Sequence, residues 1–166
     1  MDYMFAPWRI WYIKQASENE TSNCILCHYP ARTDDEQSLI LYRGEHNFVI
    51  MNRYPYNAGH IMVSPLRHCA ALDGLNDAER NEHYRIVARC VAIMRDMFSC
   101  DGFNVGMNLG RVAGAGVDQH IHTHIVPRWN GDTNFMPVLG SIKVINEAIA
   151  DTYKMLKPKF ALLQEG

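Results

Sequence analysis

The segment Gln119-His120-Ile121-His122-Thr123-His124-Ile125-Val126-Pro127-Arg128 constrains this chain more than any other. Successive side chains of a β-strand point to opposite faces. Residues 120–126 are therefore expected to form a strand, stopped by Pro127, with His120, His122 and His124 on one face and Ile121, Thr123 and Ile125 on the other. Three of the eight histidines of the chain then share one face of one strand. Chance alternation of core or surface histidines is one reading, but clustered histidines are more typical of metal and catalytic sites. Two histidines at i and i+2 can hold zinc. Equally, a neutral imidazole can attack phosphorus without a separate base, because at pH 7 it is already largely deprotonated.

Other strands are expected around this one. Residues 38–43 and 47–52 read as a hairpin joined by Gly44-Glu45-His46. Residues 54–59 form a loop with Pro55, Asn57 and Gly59, and residues 60–64 a short strand ended by Pro65. Residues 103–109 are a further strand, followed by a loop over 110–116 that holds three glycines. The close spacing of the strands over 38–64 points to an antiparallel meander. The spacing predicts a helix over 76–99, with Asn76 as cap, Glu79 three residues on, and Tyr84, Val87, Val91, Met94 and Phe98 along one face. A second helix is expected over 141–156, with Val144, Ile145, Ala148, Ile149 and Tyr153 as its apolar stripe. Residues 129–134 read as a turn and 31–37 as an exposed polar stretch. Residues 1–13 are rich in aromatic side chains, which favours packing against the body or a second subunit. With no repeat or linker, residues 1–166 read as a single α+β domain.

Composition removes several functional classes. A net charge of −2 and a pI near 6.4 exclude a basic surface for nucleic acid. No apolar run approaches the roughly 20 residues needed to span a bilayer. The start Met1-Asp2-Tyr3 lacks a basic-then-apolar signal, so a cytoplasmic protein is expected. The five cysteines are an odd number, which argues against a disulfide framework. Cys69, Cys90 and Cys100 read as small buried apolar residues. Cys24-Ile25-Leu26-Cys27 fits a redox pair, half of a zinc site, or two buried thiols. The absence of a strand–helix setting of the thioredoxin kind discounts the redox reading.

The histidine segment resembles the signature of the histidine triad (HIT) superfamily of nucleotidyl hydrolases and transferases. Phe48-Val49-Ile50-Met51-Asn52-Arg53, Gly59-His60-Ile61-Met62-Val63-Ser64-Pro65, Asn108 and the histidine segment follow the family's order and spacing. Ala6-Pro7-Trp8-Arg9 and Trp129-Asn130-Gly131-Asp132-Thr133-Asn134-Phe135 resemble the bacterial branch related to diadenosine tetraphosphate phosphorylases. The likeness spans nearly the whole chain. It implies a HIT-like α+β fold, with an antiparallel sheet of about five strands and two main helices, and commonly a homodimer.

The same resemblance implies an enzyme that cleaves dinucleoside polyphosphates, with adenine nucleotides as the expected partners and with water or phosphate as acceptor. Nucleoside phosphoramidates are the nearest alternative substrates. Outside the family, the rivals are a zinc-dependent hydrolase using the histidine strand and a nucleotide-binding module without turnover. By resemblance His122 is the nucleophile, His124 steadies the oxygen that gains charge, His120 is the first triad histidine and His60 packs beside them. Asn52 matches a ribose contact, with the base near Phe48 and Ile50, while Asn108 lies near the expected phosphate. Strand-end turn chemistry is the plainer reading of both asparagines. Where fragile-histidine-triad hydrolases carry a glutamine, this chain has Gly116, followed by Val117 where several carry a hydroxyl. The backbone N–H groups of 113–116 would then accept free phosphate, which favours phosphorolysis. Finally, the resemblance implies a structural Zn²⁺ held by Cys24, Cys27, His68 and His120.

Overall fold

A computed structural model describes residues 24–132, 148–161 and 163. Five strands form one sheet: β1 (Ile40–Arg43), β2 (Asn47–Met51), β3 (Ile61–Pro65), β4 (Gly102–Met107) and β5 (Thr123–Arg128). Their order is β1-β2-β3-β5-β4, and every neighbouring pair is antiparallel. The expected α+β class and five-stranded sheet are both present.

β3 begins one residue later than the sequence suggests and includes Pro65, and two other strands begin later still. Residues 38 and 39 do not belong to β1, because Asp34 caps a short helix: its side chain accepts from Gln37 N–H at 3.0 Å. That helix, Asp35–Ser38, follows a first short helix α1 (Ile25–His28) and is α2. Leu39 closes it in the left-handed conformation, φ 60°. β5 begins at Thr123 rather than His120, and it runs through Pro127 instead of stopping there. Proline is tolerated because β3 pairs with β5 only over residues 123–125. The Pro127 carbonyl accepts from Asn57 Nδ2 at 3.2 Å on the side that β3 has left, so its missing N–H falls on that side too.

The long helix α3 (Asp77–Phe98) starts as its sequence dictates. Asn76 Oδ1 accepts from Glu79 N–H, and the Glu79 carboxylate accepts from Asn76 N–H, both at 2.9 Å. Its buried face is rotated from the expected stripe. Tyr84 is 53% exposed, and Val91 and Phe98 are only half-buried. Glu79, Glu82, His83, Ile86, Val87, Cys90 and Met94 are the buried residues. The reason is polar: Glu82 and His83 turn inward to bond Asn47 of β2, so the helix presents a face that hydrophobicity alone does not mark.

Helix α4 (Ile149–Phe160) corrects the expected span of 141–156. Ala148 stands at its cap position, while Val144 and Ile145 lie outside the described residues. The helix continues past residue 156 through Pro158, which forfeits one backbone bond. Leu156 and Phe160 are fully buried and hold that last turn in the core. Tyr153 Oη donates to the Ile40 carbonyl at 3.2 Å, and Lys157 Nζ to Asp35 at 2.8 Å, fastening α4 to β1 and α2. The aromatic stretch 1–13, the polar stretch 14–23 and the end of the 129–134 turn lie outside the described residues. No helix among the described residues is long and apolar enough to cross a membrane.

Candidate active site and metal cluster

The register sorts the sheet into two faces. Phe48 pairs Ser64, Ile50 pairs Met62, and Met62 and Gly106 pair His124, so these residues share one face. Val49, Val63 and Thr123 share the other, on which Asn47 meets α3. Upstream of Thr123 the chain leaves the ladder. There Ile121 N–H donates to the Cys69 carbonyl at 2.7 Å, and Ser64 Oγ donates to the Ile121 carbonyl at 3.0 Å.

His122 and His124 meet edge to face, with ring centroids 4.8 Å apart, and His60 lies 5.1 Å from His124. The hydrogen bonds order their protons. Tyr56 N–H donates to His60 Nδ1 at 3.0 Å, so the His60 proton is on Nε2 and donates to His124 Nδ1 at 3.0 Å. Neutral His124 then carries its proton on Nε2. His122 Nδ1–H donates to the His120 carbonyl at 2.8 Å, which leaves Nε2 with a lone pair. His122 is only 5% exposed, and burial lowers its pKa from the ordinary histidine value against the opposing backbone bond. The site therefore offers one imidazole nitrogen able to attack or bind and, beside it, one N–H able to donate.

His120 turns away from this pair. Its Nε2–H donates to the Pro65 carbonyl at 2.9 Å, so Nδ1 presents a lone pair. Nδ1 lies 3.4 Å from both Cys24 Sγ and Cys27 Sγ, and His68 Nδ1 lies 3.3 Å from Cys27 Sγ. The four candidate ligand atoms of Cys24, Cys27, His68 and His120 fall within 4.8 Å of one another. A tetrahedral zinc with bonds near 2.3 Å to sulfur and 2.0–2.1 Å to nitrogen would set S···N edges of about 3.5 Å, close to these distances. Burial, then the neighbouring Cys24, push the Cys27 thiol up to about 11. Two thiolates at this spot call for a cation. Burial also lowers His120 to about 4, which keeps its ligand nitrogen free of a proton.

The remaining expected residues are less central. Asn52, just after β2, accepts from Tyr54 N–H through Oδ1 at 2.9 Å. Asn108 Nδ2 donates to the Gly114 carbonyl at 3.3 Å, binding it to the glycine loop that contains half-buried Gly116. Phe48 and Ile50, at 0% and 2% exposure, sit in the core and present almost no surface to a ligand. Sequence reasoning misses Tyr56, whose ring stands 4.6 Å from His60 and 5.6 Å from His124. It also misses His83, whose Nε2 lies 2.7 Å from Thr123 Oγ1 behind the histidine pair. A hydroxyl among the isoleucines of the apolar face was the available signal for that contact.

Residues 33–131 match the HIT domain family. The chain is 34% identical over 163 residues, 95% of its length, to a Mycobacterium tuberculosis protein named AP-4-A phosphorylase, and covers 84% of that protein. A zinc-bound histidine triad family protein from Mycobacterium smegmatis has a similar fold, with a TM-score of 0.68 at 23% identity over 88% of this chain and 99% of that one. A hypothetical histidine triad nucleotide-binding protein from Sulfolobus tokodaii also gives 0.68, at 25% identity over 85% of this chain and 94% of the other. The family match over most of the chain and the 34% identity over 95% of it together show that this chain belongs to the HIT domain family.

Proposed function

We propose that this chain cleaves dinucleoside polyphosphates of the diadenosine tetraphosphate kind through a nucleotidyl-His122 intermediate. One observation carries the reading: the His120 carbonyl holds the Nδ1 proton of His122 and leaves the Nε2 lone pair for attack. The 34% identity, over 95% of the chain, to a protein named AP-4-A phosphorylase supports the substrate class. His122 Nε2 forms a bond to an α-phosphorus, and the bond from that phosphorus to the bridging oxygen breaks. The oxygen leaves with the electron pair, as ATP from diadenosine tetraphosphate. His124 Nε2–H donates to an oxygen that gains charge, held in that tautomer by His60. The His120 carbonyl stabilises the charge carried by the phosphorylated ring. Water or phosphate then attacks phosphorus and frees His122, giving AMP or ADP. Asn108 and the glycine loop through Gly116 hold the phosphates, and phosphate is the favoured acceptor.

Zinc belongs to the same proposal. Cys24, Cys27, His68 and His120 would hold it, and when bound it would neutralise two thiolates and tie α1 and its cap residue to the chain leading into β5. The name of the Mycobacterium smegmatis relative supports this choice of metal. A zinc hydrolase using all three histidines of the segment is disfavoured, because His120 lies with the thiols and His122 with His124. A cytoplasmic homodimer completes the reading. Val105, 46% exposed on edge strand β4, suits contact with a second copy. The test is turnover of labelled diadenosine tetraphosphate with and without phosphate, quenched to map the labelled residue. ADP with ATP indicates phosphorolysis and AMP with ATP indicates hydrolysis. Label on a residue other than His122 overturns the mechanism.

A further inference from the structure

Thr123 separates His122 from His124 in sequence and turns its hydroxyl to the opposite face of the sheet, where α3 packs. Both Thr123 and His83 are buried, and Thr123 Oγ1 lies 2.7 Å from His83 Nε2. On the other side of the ring, His83 Nδ1 lies 2.9 Å from Asn47 Oδ1. The Asn47 amide has its orientation fixed by its remaining partners. Nδ2 donates to Glu82 Oε2 at 2.9 Å and to the Glu79 carbonyl at 3.0 Å, and both of these are acceptors. Its oxygen therefore faces His83. His83 must donate from Nδ1, so its Nε2 accepts the Thr123 hydroxyl proton. Glu82 in turn accepts from Glu45 N–H and His46 N–H, each at 2.8 Å. Each hydrogen is thus assigned along a buried chain from Thr123 to the β1–β2 turn. Burial lowers His83 to about 4, consistent with the neutral ring the chain requires.

The location of this chain of bonds matters more than its length. Thr123 is where the ladder begins, paired to Val63 on one side and Met107 on the other. Residues 120–122 have no ladder partner. His122 thus hangs between two anchors, Ile121 bonded to Cys69 and Ser64, and Thr123 bonded to His83. An apolar pair of similar volume would fill the space between α3 and β5 and stabilise the fold at least as well, since buried polar groups gain little net stability. What the polar pair adds is direction: a hydroxyl bond selects one rotamer of Thr123 and one height of its backbone over α3.

We propose that His83 is a positioning residue, acting through the Thr123 hydroxyl to set the backbone between His122 and His124 and hence the alignment of their rings. The inference rests on the reading of those two histidines as the reacting pair. In-line attack tolerates little misplacement, and an error on the order of 1 Å can cost about a hundredfold in rate.

The experiment compares wild type with Thr123→Val, which removes the hydroxyl but keeps the shape, with Thr123→Ser, which keeps the hydroxyl, and with His83→Leu. Three quantities are read: kcat and KM for diadenosine tetraphosphate, the ring nitrogen and proton NMR signals of His122 in the free protein, and Tm. Thr123→Val should lower kcat about ten- to a hundredfold, with KM within about twofold. It should also shift the His122 ring signals, and Thr123→Ser should restore both. His83→Leu should match Thr123→Val; if it fails to fold, the Thr123 pair decides alone. Unchanged kcat and unchanged ring signals in Thr123→Val, with only Tm lowered, would reduce the chain of bonds to a structural brace and overturn the proposal. So would a Thr123→Ser enzyme as impaired as Thr123→Val. If wild type forms no nucleotidyl-His122, the proposed function falls separately, and the ring signals still decide whether Thr123 positions His122.

Discussion

The carbonyl oxygen of His120 lies 2.8 Å from Nδ1 of His122, while the ring of the same His120 stands 3.4 Å from two cysteine sulfurs. One residue thus serves the thiol cluster with its side chain and the candidate nucleophile with its backbone. The three histidines, two residues apart, are thus held by different partners: His120 by Pro65, His122 by His120, and His124 by His60.

Replacing His122 by Ala removes the nitrogen with the free lone pair. Covalent labelling by diadenosine tetraphosphate should vanish and turnover should fall to background. His124→Ala should be milder, because it removes one donor, typically worth two to three decades in kcat, roughly 2.7–4 kcal/mol. Rapid-quench kinetics on the two variants checks the order, and a His124→Ala enzyme weaker than His122→Ala would reverse the assigned roles.

Metal content is testable without any substrate. Purified protein should carry about one zinc per chain, and Cys24→Ser should abolish retention by removing one of four donors. Because the His120 carbonyl holds His122, zinc loss should lower kcat as well as Tm. Elemental analysis of wild type and variant, followed by thermal melts with and without a chelator, measures both effects. Full zinc retention by Cys24→Ser would refute the ligand set.

The sequence reveals the site better than its surroundings. Side-chain alternation and Cys-x-x-Cys spacing single out the His120–His124 segment and the Cys24–Cys27 pair, because these patterns are local, whereas His60 and His68, distant in sequence from their partners, come only from the family resemblance. The face of α3 was not legible in the same way. Glu82 and His83 look like solvent residues on a hydrophobicity pattern, and only the partner they meet, Asn47, turns them inward. Likewise, β5 begins at Thr123 because β3 and β4 pair no further upstream, and strand alternation carries no information about where a neighbour ends. Phe48 and Ile50 lie on a strand buried on both faces, on the His124 side of the sheet, a burial that strand alternation alone does not indicate.

Gly44 admits no side chain at the β1–β2 turn. A Cβ there would lie 2.7 Å from Glu82 Oε1 and 2.9 Å from the Asn47 carbonyl oxygen. Gly44→Ala should displace the Glu82 carboxylate from the Glu45 and His46 amides it accepts from, and so loosen the buried chain at its far end. Overpacking of this kind costs about 1–3 kcal/mol, to be read as a fall in the urea midpoint without a change in slope. Wild-type stability in Gly44→Ala would show that the turn can yield without moving Glu82.

His83 also gives stability a predictable pH dependence. Its native pKa is near 4, against the ordinary 6.5, because burial disfavours the charged ring. Above the ordinary value the ring is neutral in both folded and unfolded chains, and its contribution is complete. As pH falls below it, the unfolded chain takes up a proton that the native chain refuses. Unfolding free energy then drops by up to about 1.4 kcal/mol per pH unit, roughly 3 kcal/mol in all, until the native ring is protonated as well. Glu79, held to about 2 chiefly by Arg67, adds its own loss only below the ordinary carboxylate value of 4.5, so the interval above that value isolates the histidines. Zinc-loaded protein removes His120 from the comparison, because a bound metal keeps its ring deprotonated. Urea titrations of zinc-loaded wild type and His83→Gln at about pH 7 and about pH 5 should show the variant losing less stability on acidification, by close to one proton's share of the slope. Parallel losses in the two proteins would mean that His83 is protonated in the native state and that the assigned direction of the Thr123 hydrogen bond is wrong.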